Sequence, residues 1–241
     1  TDSPVTVTLS ASDTVTGVET SGVDAIRYRI DYGGWQQYTE PFVLEVSSGN
    51  EREYTVRYSA TDLAGNVEPV HELSVGIDRK APGTIPHVPM VQPSGWTNTN
   101  CFTVTWDENP HDLSGIGGAY YNFSEPSSST DGTLVLGDDI MSIPCVQVPD
   151  ELGDGAHNVY VWLQDKAGNS DHLTRRVITV RLDRIPPEIA PAVTGDLCEA
   201  TGWYNSPIAV TFVATDNIPS GMVGGVISYH VVGGGGWVEG D

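Results

Sequence analysis

The chain has 241 residues, of which 32 are acidic and 11 basic, so its formal net charge is −21. A charge of that sign repels nucleic acid and anionic membrane surfaces, and we expect neither as a partner. Hydrophobic residues make up 39% of the chain, which is enough to build a core and is not typical of a disordered acidic tail.

Many short strands joined by tight turns are predicted, because the chain holds 27 glycines and 16 prolines and is rich in Ser, Thr and Val. No apolar run approaches the roughly 18 residues that a membrane helix needs, so we expect no membrane insertion in this segment. The chain opens on a strand-like stretch, and we expect any export signal or anchor to lie outside it.

The first predicted strand alternates over residues 2–13 and is followed by an "SG" loop. "IRYRIDYGGWQQY" at 26–38 predicts a hairpin with a glycine turn and a following Trp. A strand with apolar side chains at every second position then runs into "ATDLAGN" at 60–66, which indicates that one of its faces packs on a core. Its partner strand ends in "IDRKAP" at 77–82, where the proline marks a boundary.

The same order recurs further along the chain. "SGWTNTNCFTVTW" (94–106) predicts a strand, "QDKAGN" (164–169) repeats the turn, and the final strand ends in "LDRIPP" (182–187). When Asp62 is aligned on Asp165, the alternating apolar positions on both sides of the turn coincide. The repeated turn therefore predicts the connection between the last two strands of a module, with Asp accepting backbone hydrogen bonds and Gly supplying a left-handed residue.

A third copy begins with "TGWYNSPIAVTFVATD" (201–216) and a "GGW" hairpin at 227–240, and it has no AGN turn of its own. The chain is thus predicted to be an excerpt of an all-β array of tandem modules, two near complete and one partial. We place the modules at 1–82, which lacks its first strand, at 83–187, which has a divergent middle, and at 188–241, which is partial. A bolder alternative is that the partial modules of neighbouring copies complete each other by strand complementation.

The repeats resemble the bacterial immunoglobulin-like (Ig-like) repeats of large cell-surface and secreted proteins. The resemblance is carried by "VTVTLSASD", "YGGWQQYTEPF" and "YTVRYSATDLAGNVEP" in the first copy, whereas "NFSEPSSSTDGTLVLGDDIMSIPC" replaces the usual hairpin in the second. It implies Ig-like β-sandwiches in an extracellular or cell-surface setting. It implies no particular ligand, since such folds have many functions.

Nothing in the sequence indicates an enzyme. The six histidines are scattered, and the chain has no Gly-x-Ser-x-Gly elbow for a nucleophile. "SGIGG" and "GMVGG" are glycine-rich but lack the Lys and Ser/Thr of a phosphate-binding loop. We therefore predict no catalytic residues.

Calcium is the one cofactor that the sequence suggests. Acidic residues close the second strand of each copy and also occupy the two linkers, and calcium prefers several carboxylate and carbonyl oxygens. The alternative is that these acids cap turns on a solvated acidic surface. The candidate calcium ligands are Asp13, Asp78, Asp107, Glu108, Asp112, Asp183 and Asp216.

Three further features are candidates for covalent links or contacts. A disulfide between Cys101 and Cys145, joining the two sheets of the second copy, fits an oxidising exterior, and the alternative is two buried thiols. Cys198 has no evident partner within its own half-module. Tyr160 and Trp162 are predicted to point outward, where they stack on a sugar or, as we favour, pack on a neighbouring module or chain. Asn122 begins a glycosylation sequon.

Together these features predict a non-catalytic structural array in a larger surface protein: a stalk, a surface-layer component or a filament component. Its expected partners are neighbouring modules or copies of the same chain. The alternative function is a carbohydrate-binding or adhesion module attached to a secreted enzyme or adhesin, with surface glycans as partners.

Overall fold

A computed structural model describes residues 3–14, 19–216, 227–229 and 238–240. These residues form strands and loops with two short 3-10 turns, and no α-helix occurs among them. The chain is all-β and consists of Ig-like β-sandwich modules, two near complete and one partial, which confirms the predicted fold class. No helix in the described part of the chain is long and apolar enough to cross a membrane.

The chain groups into two compact units. The first contains the first module and part of the second, and the other contains the rest of the second module with the third. The module boundaries at 82/83 and 187/188 stay predictions. The first unit is Thr1–Met90, Thr105–Ile143 and Val159–Ile178, and the second is Val91–Val104, Pro144–Asn158 and Thr179–Asp241.

The first module has a four-stranded antiparallel sheet in the order β3-β2-β5-β6 and a two-stranded sheet β1-β4. The predicted glycine-turn hairpin is present, with Arg27 opposite Gln37 and Tyr28 opposite Gln36. Strands β5 and β6 flank the "ATDLAGN" turn, as predicted. The strands are β1 (Val5–Val7), β2 (Val23–Ile30), β3 (Gln36–Gln37), β4 (Phe42–Leu44), β5 (Glu51–Asp62) and β6 (His71–Asp78).

The core of the first module forms where inward positions of both sheets meet. Tyr54 and Val56 alternate along β5, and they cluster with Val7, Leu44 and Ile77. Burying a side chain of this size stabilises the fold by about 1.5–3 kcal/mol. The Tyr54 hydroxyl donates a hydrogen bond to the Glu45 carbonyl at 2.6 Å, so this polar group is not left without a partner.

The second module has a four-stranded sheet β10-β9-β12-β13 and a three-stranded sheet β11-β8-β7. Val159, Val161 and Leu163 alternate along β12 and are buried, as the period-two pattern predicted. The divergent middle still forms a hairpin, since β10 pairs with β9. The elements are β7 (Met90–Gln92), β8 (Phe102–Thr105), β9 (Ile116–Asn122), β10 (Thr133–Leu136), β11 (Ser142–Val146), a 3-10 turn (Asp150–Leu152), β12 (Gly155–Asp165), a 3-10 turn (His172–Thr174) and β13 (Arg176–Leu182).

Within its described residues, the third module has three two-stranded antiparallel sheets, β14-β17, β15-β16 and β18-β19. The predicted "GGW" hairpin is present in its strands, where Ile227 lies opposite Gly240, and its turn lies outside the described residues. The strands are β14 (Glu188–Thr194), β15 (Leu197–Cys198), β16 (Trp203–Tyr204), β17 (Ala209–Thr215), β18 (Ile227–Tyr229) and β19 (Val238–Gly240).

Candidate functional site

The repeated AGN turn is built in the same way in both modules. In the first, the Asp62 carboxylate accepts hydrogen bonds from the Asn66 backbone N–H and from its side-chain amide, both at 2.7 Å. In the second, Asp165 accepts the same pair from Asn169, at 2.7 and 2.8 Å. The glycine in each turn has a left-handed φ, near 89° and 96°, which explains why both copies have Gly there.

The "SG" loops also match, although their aspartates are spaced differently in the sequence. Asp13 accepts hydrogen bonds from the Ser21 hydroxyl at 3.3 Å and the Gly22 N–H at 2.9 Å. Asp112 accepts from the Ser114 hydroxyl at 3.1 Å and the Gly115 N–H at 3.2 Å. The candidate calcium ligands Asp13 and Asp112 are thus equivalent residues, each of which caps the SG loop of its own module.

These two loops of the second module contact the end of the first. The Ser114 N–H donates to the Asp78 carboxylate at 3.2 Å, and the Leu113 N–H donates to Glu51 at 3.0 Å. The Asn169 side-chain amide donates to the Asp78 carbonyl at 3.0 Å. We call this region the joint, and all of its residues belong to the first compact unit.

The linker that leaves the joint is held by hydrogen bonds as well. The Arg176 guanidinium, on β13, donates to the Ile85 carbonyl at 2.8 Å and to the Pro86 carbonyl at 2.7 Å. The Ile85 side chain is buried. A chain fixed by charge-assisted hydrogen bonds and by a buried apolar anchor is not a free tether.

Three carboxylates meet at the joint. One oxygen each from Glu51, Asp78 and Asp112 lies within 4.8 Å of the others. Two oxygens that each lie about 2.4 Å from one calcium ion are at most about 4.8 Å apart, so this spacing suits calcium. The Lys80 ammonium, 2.8 Å from Glu51, supplies one neutralising charge.

The joint is rich in negative charge with little access to solvent. The Asp78 and Asp165 side chains are buried, and the Asp112 Oδ2 atom is shielded from solvent without a hydrogen-bond partner in the described structure. Burial, reinforced by the Asp78 and Asp165 carboxylates, raises the pKa of Asp112 to about 6. Burial also raises the pKa of Asp165, whereas the hydrogen bond from Lys80 lowers the pKa of Glu51.

The raised pKa of Asp112 predicts a pH dependence of stability. Between its ordinary value, near 4, and about 6 the folded state holds a proton that the unfolded state releases, so the free energy of unfolding falls as pH rises through this window. In metal-free buffer we expect the urea midpoint to be higher at pH 5 than at pH 7, and Asp112→Asn to reduce that difference. Asp24→Asn, which removes an exposed carboxylate, should leave the difference between the two urea midpoints unchanged. If the two variants showed the same difference, Asp112 would not be the group that causes the pH dependence.

The sequence pattern identified Asp78 and Asp112 but missed Glu51. A signal existed, because Glu51 falls on Asp154 when Asp62 is aligned on Asp165, so both modules begin the long strand near an acid. The other candidates lie in no such three-carboxylate group within the described ranges. They are Asp13 in its loop, the exposed Asp107 beside His87, the exposed Glu108, Asp183 in the second linker, and Asp216 after β17.

Cys101 and Cys145 are joined by a disulfide. The pairing is the predicted one, but its location differs. Cys101 directly precedes β8 and Cys145 lies in β11, which is a neighbour of β8 in the same sheet, so the bond links adjacent strands and not two sheets. Their Cα atoms are 4.4 Å apart, within the range usual for a disulfide. Cys198 is a free, exposed thiol.

The expectation that Trp162 points outward, to stack on a sugar or to pack on a neighbouring module or chain, is wrong. Trp162 does lie on the opposite face of β12 from Val161, but it is fully buried. The divergent segment of the second module covers it, since the indole N–H donates to the Ser129 carbonyl at 2.9 Å and the ring stacks on Tyr120 at 5.3 Å. Tyr160 is half-buried beneath the Arg175 guanidinium, 5.8 Å away.

Asn122, the sequon residue, takes part in the same covering segment. Its side-chain amide nitrogen donates to the Asp131 carbonyl at 2.8 Å, and its side-chain oxygen accepts from the Ser124 N–H at 2.9 Å. A glycan attaches through that nitrogen, so glycosylation of the folded chain requires this hydrogen bond to open.

No protein-family model matches the chain, and no curated protein matches it. Among solved structures, the fibronectin(III)-like modules of CbhA from Clostridium thermocellum align over 77% of this chain and 89% of their own, with 12% sequence identity and a TM-score of 0.34. The strand order of the described residues is that of an all-β chain.

Proposed function

We propose that this chain is a non-catalytic spacer: a run of bacterial Ig-like repeats within a larger surface or secreted protein, where it holds other parts at a set separation. The joint is the observation that supports it. The SG and AGN loops, which recur in the sequence, hydrogen-bond to Asp78 and Glu51 at the end of the preceding module. Because every module of such an array carries these loops, each module can dock on the end of the one before it, and the partners of the array are its own neighbouring modules.

The second linker repeats features of the first. Asp183 accepts a hydrogen bond from the Ile185 N–H at 3.1 Å, just as Asp78 accepts from Lys80 at the same distance. Asp154, the counterpart of Glu51, pairs with Arg184 at 2.7 Å. The repetition supports a series of equivalent joints.

The joint's rigidity tests the proposal. Spin labels on Glu53→Cys in the first module and Thr133→Cys in the second, in a Cys198→Ser background, report the distance between the modules by electron–electron double resonance. We expect one narrow distance distribution, which broadens in Asn169→Ala because the hydrogen bond to the Asp78 carbonyl is lost. Asn66→Ala, the matched change in the first module's turn, should keep it narrow. A broad distribution in the parent chain would contradict a spacer role.

Calcium is proposed as a brace of this joint. Its binding would neutralise the Glu51, Asp78 and Asp112 carboxylates and occupy the unpaired Asp112 oxygen. We expect calcium to raise the melting temperature by several degrees at pH 7.5 relative to a chelator, and we expect Asp112→Asn to abolish the increase. Asp107→Asn is the control. An identical melting curve with calcium and with chelator would remove calcium from the proposal and leave the hydrogen-bonded joint in place.

A further inference from the structure

A cluster of positive charge lies on the first module of this strongly acidic chain. Arg27 and Arg29 occupy alternate positions of β2, on the face away from the core, and Arg57 lies directly opposite Arg29 on β5. Like charges facing each other across a ladder destabilise a sheet unless something compensates them. We call Arg27, Arg29, Arg57, Trp35 and Gln37 the arginine face.

The chain compensates only part of this charge. Arg57 pairs with Glu72 on β6 at 2.7 Å. Arg27 and Arg29 make no ion pair with any described residue, and the Arg29 Nε atom is buried without an acceptor. Their contacts are with Trp35, whose ring centroid lies 4.9 Å from the Arg27 guanidinium carbon and 5.2 Å from that of Arg29.

Trp35 does not serve as a core residue here. It is 39% exposed, and the core of this module lies on the opposite side of the sheet. Its neighbours on the face are polar, since Gln37 pairs with Arg27 across β2 and β3. The face therefore offers two kinds of contact to a ligand. The Trp35 indole ring can stack on an apolar ring face, and the Arg27 and Arg29 guanidinium groups can donate hydrogen bonds to a carboxylate.

We propose that the arginine face binds an anionic polysaccharide that carries carboxylate groups, such as a uronate polymer. The carboxylate would accept hydrogen bonds from Arg27 and Arg29, and a sugar ring would pack against Trp35. Charge complementarity favours an anionic partner. The polar surroundings of Trp35 suit a hydroxyl-rich polymer, because sugar hydroxyls can donate to and accept from the Gln37 amide. The proposal does not depend on the joint or on a spacer role.

The net charge of −21 makes the test selective, because general electrostatics repel this chain from a polyanion. Retardation in native gels containing polygalacturonate is expected, with none in gels containing neutral dextran. The double variant Arg27→Gln with Arg29→Gln should raise the dissociation constant by about tenfold or more, because charge-assisted hydrogen bonds are lost. Arg181→Gln with Arg184→Gln removes the same charge from β13 and the linker after it, and it should leave binding unchanged.

Trp35→Ala gives an independent readout, and a circular dichroism melt identifies any variant that fails to fold. We expect the folded Trp35→Ala protein to lose retardation, while its gel mobility without polysaccharide stays that of the parent. Equal retardation of the Arg27/Arg29 and Arg181/Arg184 variants would overturn the proposal, as would no retardation of the parent. Tighter binding to polyglutamate than to polygalacturonate would overturn it in favour of an acidic polypeptide.

Discussion

Trp162→Ala is expected to lower the free energy of unfolding of the second module by about 3–5 kcal/mol, because it removes a large, fully buried ring. The change also leaves the Ser129 carbonyl without the indole N–H and removes the stacking on Tyr120. The segment that covers Trp162 then loses its anchor. Scanning calorimetry of the parent and the variant measures the effect as a shift of one unfolding transition.

Tyr160→Ala is the matched control for that substitution. Tyr160 lies two residues away on β12 and is only half-buried, and its contact with Arg175 contributes about 0.5–1 kcal/mol. We expect its transition to move far less. If the two variants melted alike, Trp162 would not be the anchor that its burial indicates.

Removing the disulfide should have the second large effect. Cys101 and Cys145 are 44 residues apart in sequence, and their bond restricts the unfolded chain over that whole loop. A constraint of this length stabilises a fold by about 2–5 kcal/mol. We expect Cys101→Ser with Cys145→Ser to lower the stability of the second module by that amount in urea unfolding, and reduction of the parent protein to have the same effect.

Cys198→Ser provides the control, because this thiol is exposed and has no disulfide partner within the described chain. Its unfolding curve should match that of the parent. A parent protein that unfolds at the same urea concentration with and without reductant would show that the bond does not stabilise the module.

Local patterns correctly predicted the strands on both sides of the AGN turn and the turn itself, whereas the strand expected over residues 2–13 is shorter, at Val5–Val7. Period-two alternation predicted that Val159, Val161 and Leu163 would be buried, and the AGN repeat predicted the hydrogen bonds of Asp62 and Asp165 within their turns. These predictions succeed because strand periodicity and turn chemistry depend on residues that are near one another in sequence. The predicted core face is less complete in the first module, where Leu73 on β6 is exposed.

The candidate site could be predicted only in part. Alternation correctly placed Trp162 on the opposite face from Val161, but it cannot report that the segment around Ser129 and Gly132 folds over that face. In the same way, the sequence showed the linker acid Asp78 and the SG-loop acid Asp112, but as two unrelated candidates. Their meeting with Glu51 depends on how one module docks on the next, which no local pattern encodes.

By itself, the sequence determined the class of fold, the repeat and the identity of the turn-capping residues, since each of these follows from short-range spacing. Only the tertiary structure decided which side chains reach solvent and which charges meet. It buried Trp162, left Trp35 open between two arginines, and brought Asp78 next to Asp112. The physical reason is that burial and electrostatic contact depend on distances through space between residues far apart in the chain.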